Sequence, residues 1–275
     1  VLSGAIIASV LAFSTGLGIG FLLAAAGGGT LILSIIVLHY LFGLTHAELF
    51  GTVAALTFVL TVALFLVRRD AHRGAIRPAL WFTVPGLFTM TITKLIPHDL
   101  TTHIRLALIG LLLVINTLLS LIISKFLART RKIHRKRLAM LGGGVGFLAG
   151  YFGVNGVFLA LPSMLMSGLP QNIAVSSSTL TIASFALTTA IRNMVRASID
   201  WRVLIPFLLG SLTGLMISRV WFHFRQPSSR TGWITTVIVL AAGLFLLQQN
   251  WFGLYTPSLA LYDGIKGGLW NEFTN

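Results

Sequence analysis

The sequence predicts an all-α polytopic membrane protein with about eight transmembrane helices, or eight to ten segments when interrupted helices are counted by their parts. Three observations carry that reading: the composition, the length of the apolar runs and a duplicated glycine pattern. Of 275 residues, 56% are hydrophobic and only 9% are charged, whereas soluble domains hold about 25% charged residues. A mean hydropathy of +0.91 excludes a water-soluble globule and a disordered chain. Leu49–Val67, Leu106–Ser124 and Gly232–Gln249 carry at most one charge each. They match the roughly 20 residues that a helix needs to cross the hydrocarbon core.

In chain order, apolar segments are expected near 4–26, 30–43, 48–67, 79–96, 104–125, 138–152, 156–168, 173–191, 203–221 and 232–249. The first carries small residues at Gly16, Gly20 and Ala24, a four-residue spacing that lets another helix backbone approach one face. It meets the short second segment at Ala26-Gly27-Gly28-Gly29-Thr30. Successive glycines weaken a helix by about 1 kcal/mol each. The third segment opens on Glu48, after Gly43-Leu44-Thr45-His46-Ala47, and basic residues of 68–78 and 126–137 bracket the next two. The sixth repeats the small-residue spacing at Gly142, Gly146 and Gly150, and reaches the seventh through Gly153-Val154-Asn155-Gly156. The eighth begins among Ser176, Ser177, Ser178, Thr179 and Thr181, with Arg192 and Arg196 at its far end. Unwound backbone at membrane depth has to be buried in protein or line a cavity. Gly27–Thr30 and Gly153–Gly156 are therefore expected as non-helical breaks facing each other near mid-membrane.

The two broken pairs belong to an internal repeat. An offset of 126 lays Gly16, Gly18, Gly20, Phe21, Leu22 and Gly27 on Gly142, Gly144, Gly146, Phe147, Leu148 and Gly153. Farther on, an offset of 125 lays Gly43-Leu44 on Gly168-Leu169, Gly51-Thr52 on Ser176-Ser177 and Arg77 on Arg202. The expected organisation is a first transmembrane repeat over 1–128, a basic cytoplasmic linker over 129–137, a second repeat over 138–250 and a tail over 251–275. No signal-peptide pattern is visible after Val1.

Twenty Lys and Arg stand against six acids. Such an excess raises nucleic-acid binding as an alternative, but most of these residues fall in short gaps between apolar runs, as cytoplasmic loops do. Counted either as eight spans or as ten, the chain places fourteen basic residues inside and five outside. Charge thus puts 68–78 and 126–137 in the cytoplasm and leaves parallel and inverted repeats both open. The lipid bilayer is the expected partner, nucleic acid is not, and homo-oligomerisation stays open.

Chemistry has few places to reside. The chain has no cysteine, no His pair at i, i+4, no HExxH, no G-x-S-x-G and no Walker sequence, so no cofactor, metal centre or catalytic set is expected. Glu48 reads as an interfacial helix-start acid or, with His39 and His46 nearby, as part of a proton relay. What remains are hydroxyls and free backbone N–H groups, which suit a small anion. The expected substrate-binding set is Gly28, Gly29, Thr30 and Thr52 from the first half, with Asn155, Gly156, Ser176, Ser177, Ser178 and Thr179 from the second.

The glycine run of the second half, Gly146-Phe-Leu-Ala-Gly150-Tyr-Phe-Gly153-Val-Asn155-Gly156, leads to Pro162, Gly168-Leu169-Pro170 and Ala174-Val-Ser-Ser-Ser178. With Asp200-Trp201-Arg202, Gly210 and Gly214 beyond, this pattern resembles the TauE/SafE family over roughly residues 16–250. In the first half Ala24 and Thr30 stand where that pattern has glycine, as does Asn155 in the second. The resemblance implies a multi-pass permease, in a bacterial plasma membrane, that exports sulfite, organosulfonates or related anions. Other readings are a carrier of a metal cation or organic acid, and a non-transporting or enzymatic membrane protein.

Overall fold

The computed structural model describes residues 2–26, 28–67, 74–95, 102–126, 135–153, 159–196, 198–224 and 229–251. Among them are ten α-helices: α1 (Leu2–Ala26), α2 (Leu33–Tyr40), α3 (His46–Val67), α4 (Ile76–Leu95), α5 (Thr102–Phe126), α6 (Arg135–Phe152), α7 (Ala160–Met166), α8 (Gln171–Val195), α9 (Trp201–Phe224) and α10 (Ser229–Trp251). A 3-10 turn, Gly28–Ile32, joins α1 to α2. Eight helices are long; α2 and α7, at eight and seven residues, are too short to cross alone. Each of the ten apolar segments corresponds to one helix, because hydrocarbon-length apolar runs satisfy their backbone only by coiling.

Local chemistry sets the ends. At the start of α3 the Glu48 carboxylate reaches back to accept from the Thr45 N–H and hydroxyl, the acid's half of a capping box. Asp200 Oδ1 accepts from the Arg202 N–H at 2.9 Å and so caps α9. Gly43 and Gly168, at φ 63° and 87°, close α2 and α7 in left-handed turns that favour glycine. Their equivalence under the 125 offset means that the two halves use one turn twice.

Packing follows the same equivalence. The most extensive helix pairs are α1 with α9, α4 with α6, α3 with α8, and α5 with α10. Mapping α1–α5 onto α6–α10 turns the first pair into the second and each of the last two into itself. The halves are interlocked: each first helix packs on the fourth helix of the other half. The small-residue stripes make this approach close. Gly16 and Gly20 sit on the backbones of Phe207 and Ser211, and Gly210 and Gly214 on those of Phe13 and Leu17. Gly142 and Gly146 sit in the same way on Phe82 and Gly86. The repeat extends down to which atoms touch.

These contacts also give direction. Numbers rise together along α4 and α6, so the two run parallel. They rise together along α4 and α8 as well, where Ser177 bonds Ala75 and Thr83 bonds Thr181. Hence α6 and α8 point the same way, and the chain between them runs back through α7. By contrast, Gly51, near the start of α3, lies against Asn193, near the end of α8, so these two are antiparallel. Since α3 and α8 are equivalent helices, the halves are inverted relative to one another. Each interrupted pair goes across and returns, as in the ten-segment arrangement.

The core centres on α3 and α8. Leu49, Leu56, Leu60 and Leu64 of α3 and Phe185 of α8 are fully buried, together with Phe82 and Phe207. Outward faces carry exposed apolar side chains such as Ile6, Val84, Phe88 and Val220, as lipid contact requires. Among the described residues, four helical stretches, Ile6–Ala24, Glu48–Val67, Gln171–Val195 and Trp201–Val220, are long and apolar enough to cross a membrane.

Candidate substrate pathway

The expected first break is tighter than the glycines imply. Gly28–Ile32 is a 3-10 helix, not an unwound strand, and Thr30 within it is buried. Bonds from i to i+3 keep backbone N–H groups paired where water is scarce, so a tightened turn is the less costly interruption. Gly27 lies outside the described residues. In the second half α6 ends at Phe152, and Gly153 leaves it with φ 76°. Asn155 and Gly156 lie outside the described residues.

Placement along the membrane normal also differs from expectation. A Cβ on Gly153 would lie 3.7 Å from the Phe50 ring, and Phe50 is in the first two turns of α3. The second interruption therefore starts near one end of α3, not at mid-depth facing the first. Its chain then has to travel the length of the bundle to reach α8, whose start lies by Ala75 at the other end. Only α7 is helical among the described residues on that route.

The hydroxyls at the start of α8 are all buried, and most are engaged. Ser178 and Thr179 both donate to the Val175 carbonyl, at 2.9 and 2.8 Å. These are back-bonds of the kind that Ser and Thr make within a helix. Ser177 donates instead to the Ala75 carbonyl, at 2.8 Å, across the boundary between halves. Thr52 accepts from the Asp200 N–H at 3.1 Å. Residues 52 and 177 are equivalent, as are 75 and 200, so equivalent positions are tied at opposite ends of the α3–α8 pair, by a hydroxyl that donates in one half and accepts in the other. Since Gly51 abuts Asn193, Thr52 lies about 24 Å along α8 from Ser177. The structure brings Ser176 to Thr179 together and leaves Thr52 apart from them.

Glu48 is half-buried and its carboxylate serves the α3 cap. His39 is half-buried, with Nδ1 3.4 Å from the Leu44 carbonyl and its ring edge against Tyr40. His46 is the first residue of α3, and its side chain lies outside the described residues. Tyr40 in turn accepts from Asn250 Nδ2, at 3.1 Å, tying α2 to α10.

Two features had no signal in the sequence. Thr83 and Thr181 bond each other at 2.8 Å between α4 and α8; single threonines on separate helices give no periodicity that pairs them. The other is a pair of buried hydroxyls, of Thr57 and Ser218, with no hydrogen-bond partner among the described residues. A buried polar group left unpaired costs about 1–3 kcal/mol, so neither is neutral. Ser218 lies on the face of α9 that, one turn earlier at Gly214, packs against α1. Every buried polar or charged residue among those described is Ser, Thr or Asn250. No group of three or more His, Cys, Asp or Glu able to hold a metal ion occurs among the described residues.

Buried hydroxyls along α3 and α8, in halves that are inverted repeats, are compatible with a carrier, and the sequence comparisons point the same way. The profile of the sulfite exporter TauE/SafE family matches residues 11–246. A probable membrane transporter protein of Xylella fastidiosa strain 9a5c is 26% identical over 251 residues, covering 86% of this chain and 94% of the relative. Its counterpart in strain Temecula1 is 27% identical over 248 residues, with the same coverage of both chains. The probable membrane transporter protein YunE of Bacillus subtilis strain 168 is 31% identical over 109 residues, 39% of this chain and 40% of that protein. No solved structure matches. With most of its length matched by the family's pattern, the chain belongs to the TauE/SafE sulfite exporter family.

Proposed function

We propose that this membrane transporter is a secondary carrier that moves a small oxyanion or sulfonate, sulfite-like in size, out across a bacterial plasma membrane. The observation that carries the reading is the lining: the buried polar residues around α3 and α8 are hydroxyl-bearing, and none of the described buried residues is an acid or a base. A metal cation would call for carboxylates, and an enzyme would call for a catalytic set. An anion needs donors. In this reading Ser176, Ser178 and Thr179 at the start of α8 and Thr30 in the first interruption would offer hydroxyls, and Gly28, Gly29, Asn155 and Gly156 would add backbone N–H groups once the chain there opens for the substrate. A helix N-terminus adds about half a positive charge without burying a lysine or arginine. Neutral donors hold an anion and still release it.

Transport would proceed by alternating access, with the inverted halves exchanging conformations across the α3–α8 pair. The bonds Thr52–Asp200 and Ser177–Ala75 sit at the two ends, where such an exchange would close one side and open the other. The experiment is a flux assay in proteoliposomes with radiolabelled sulfite, run against sulfate, taurine and acetate. Sulfite or taurine moves well above the rate of empty liposomes and competes with its unlabelled form. Acetate as the preferred solute would replace the oxyanion reading with an organic-acid carrier, and no flux of any anion would reject it.

A further inference from the structure

Thr57 stands midway along α3, which runs from His46 to Val67. Its side chain is fully buried, and its hydroxyl has no partner among the described residues. It leaves unused even the bond that a helix always offers. Thr61, Thr117, Thr179, Thr181 and Ser211 each donate to the carbonyl four residues earlier, the usual resting place for a hydroxyl within a membrane helix. Thr57 makes no such bond to Val53, so its hydroxyl is left without an acceptor among the described residues.

The position on the helix is informative. Phe50 lies two helical turns before Thr57 on the same face, and its ring packs beside Gly153, where the second interruption begins. Thr57 is about 10 Å deeper along that face, near the middle of the α3–α8 pair. The repeat does not require a hydroxyl there. The 125 offset lays Thr57 on Ile182, which is also buried and fills the corresponding place in α8 with no polar atom. Packing is satisfied by an aliphatic side chain in one half, and the other half carries an unmet donor.

Resting on the anion-carrier reading above, we infer that Thr57 is a substrate-contacting residue: its hydroxyl donates to an oxygen of the transported oxyanion at mid-depth. The donor is buried and unpaired among the described residues, which costs free energy. An entering oxyanion supplies the acceptor and removes that cost, whereas a solute without such an oxygen leaves it in place. One-sided placement makes the site asymmetric, although the halves that build it are repeats.

The test uses Thr57→Val, which keeps the branched shape and removes the hydroxyl, and Thr57→Ser, which keeps the hydroxyl. Both are measured for KM of sulfite flux in proteoliposomes and for the shift in Tm that sulfite produces in detergent. Thr57→Val is expected to be at least as heat-stable as wild type without anion, to lose the sulfite-induced shift, and to raise KM about tenfold; Thr57→Ser retains both. A Thr57→Val protein with wild-type KM and a wild-type anion-induced shift overturns the inference while leaving the carrier reading intact. If wild type itself shows neither flux nor an anion-induced shift, the carrier reading fails, visibly before any variant is compared, and the inference falls with it.

Discussion

Glu48 shows how one residue can support two readings until its partners are known. In sequence it is an acid at the edge of an apolar run, close to two histidines, which suits either a helix start or a proton relay. In the structure its carboxylate reaches back to cap the Thr45 N–H and hydroxyl at the start of α3. Glutamine makes the same cap, because either side chain can accept from the Ncap N–H. Glu48→Gln is therefore expected to keep both the stability and the pH profile of transport. Glu48→Ala should lower stability by about 1 kcal/mol, read as a fall in Tm with KM unchanged. A flat pH profile in Glu48→Gln, with its stability intact, would return Glu48 to the proton pathway. Other residue roles were less legible. That Thr52 and Ser177 are equivalent is visible in the sequence; that each reaches a backbone group of the other half is not, because the pairing spans more than a hundred residues.

At the scale of helices the sequence was most informative, since span length and glycine spacing are direct consequences of hydrocarbon thickness and close backbone approach. All ten segments were legible, with ends set by caps and left-handed turns. The interruption Gly28–Ile32 was not, because glycine lowers helix propensity without saying whether the chain unwinds or tightens. The glycine stripes now separate into positions that need a bare Cα and positions that do not. A Cβ at Gly146 would fall on the Gly86 backbone, and one at Gly20 on that of Ser211, while Gly18 and Gly144 face open space. Gly18→Ala and Gly144→Ala are expected to raise stability by up to about 1 kcal/mol through helix propensity. Gly20→Ala and Gly146→Ala should force α1 from α9 and α4 from α6, lowering the yield of folded protein and its Tm. Equal effects at all four positions would mean that the helices do not pack on these stripes.

For the whole molecule, charge counting left eight and ten passes equally good, because the basic residues that change sides do so in equal numbers. Contacts break that tie. Arg135 lies 6.0 Å from the Trp81 ring near the start of α4, which places the start of α6 at the same end of the bundle as Ala75. The link between α8 and α9 lies at the other end, since Ser198 packs on Gly51 and Asp200 bonds Thr52. An eight-pass arrangement puts both stretches in the cytoplasm; inverted halves put them on opposite sides. The chain has no cysteine, so single substitutions report without background. With the densely basic stretches inside, Cys introduced as Thr130→Cys is expected to resist an impermeant thiol reagent applied to intact cells and to react once the membrane is opened. Arg196→Cys, on an exposed residue at the end of α8, should react in intact cells. Protection of both from outside would restore the eight-pass topology and parallel repeats, and would remove the inversion on which alternating access depends. Labelling at Thr130 and protection at Arg196 would keep the inversion and reverse the protein in the membrane, so that the face proposed as the exit becomes the entrance.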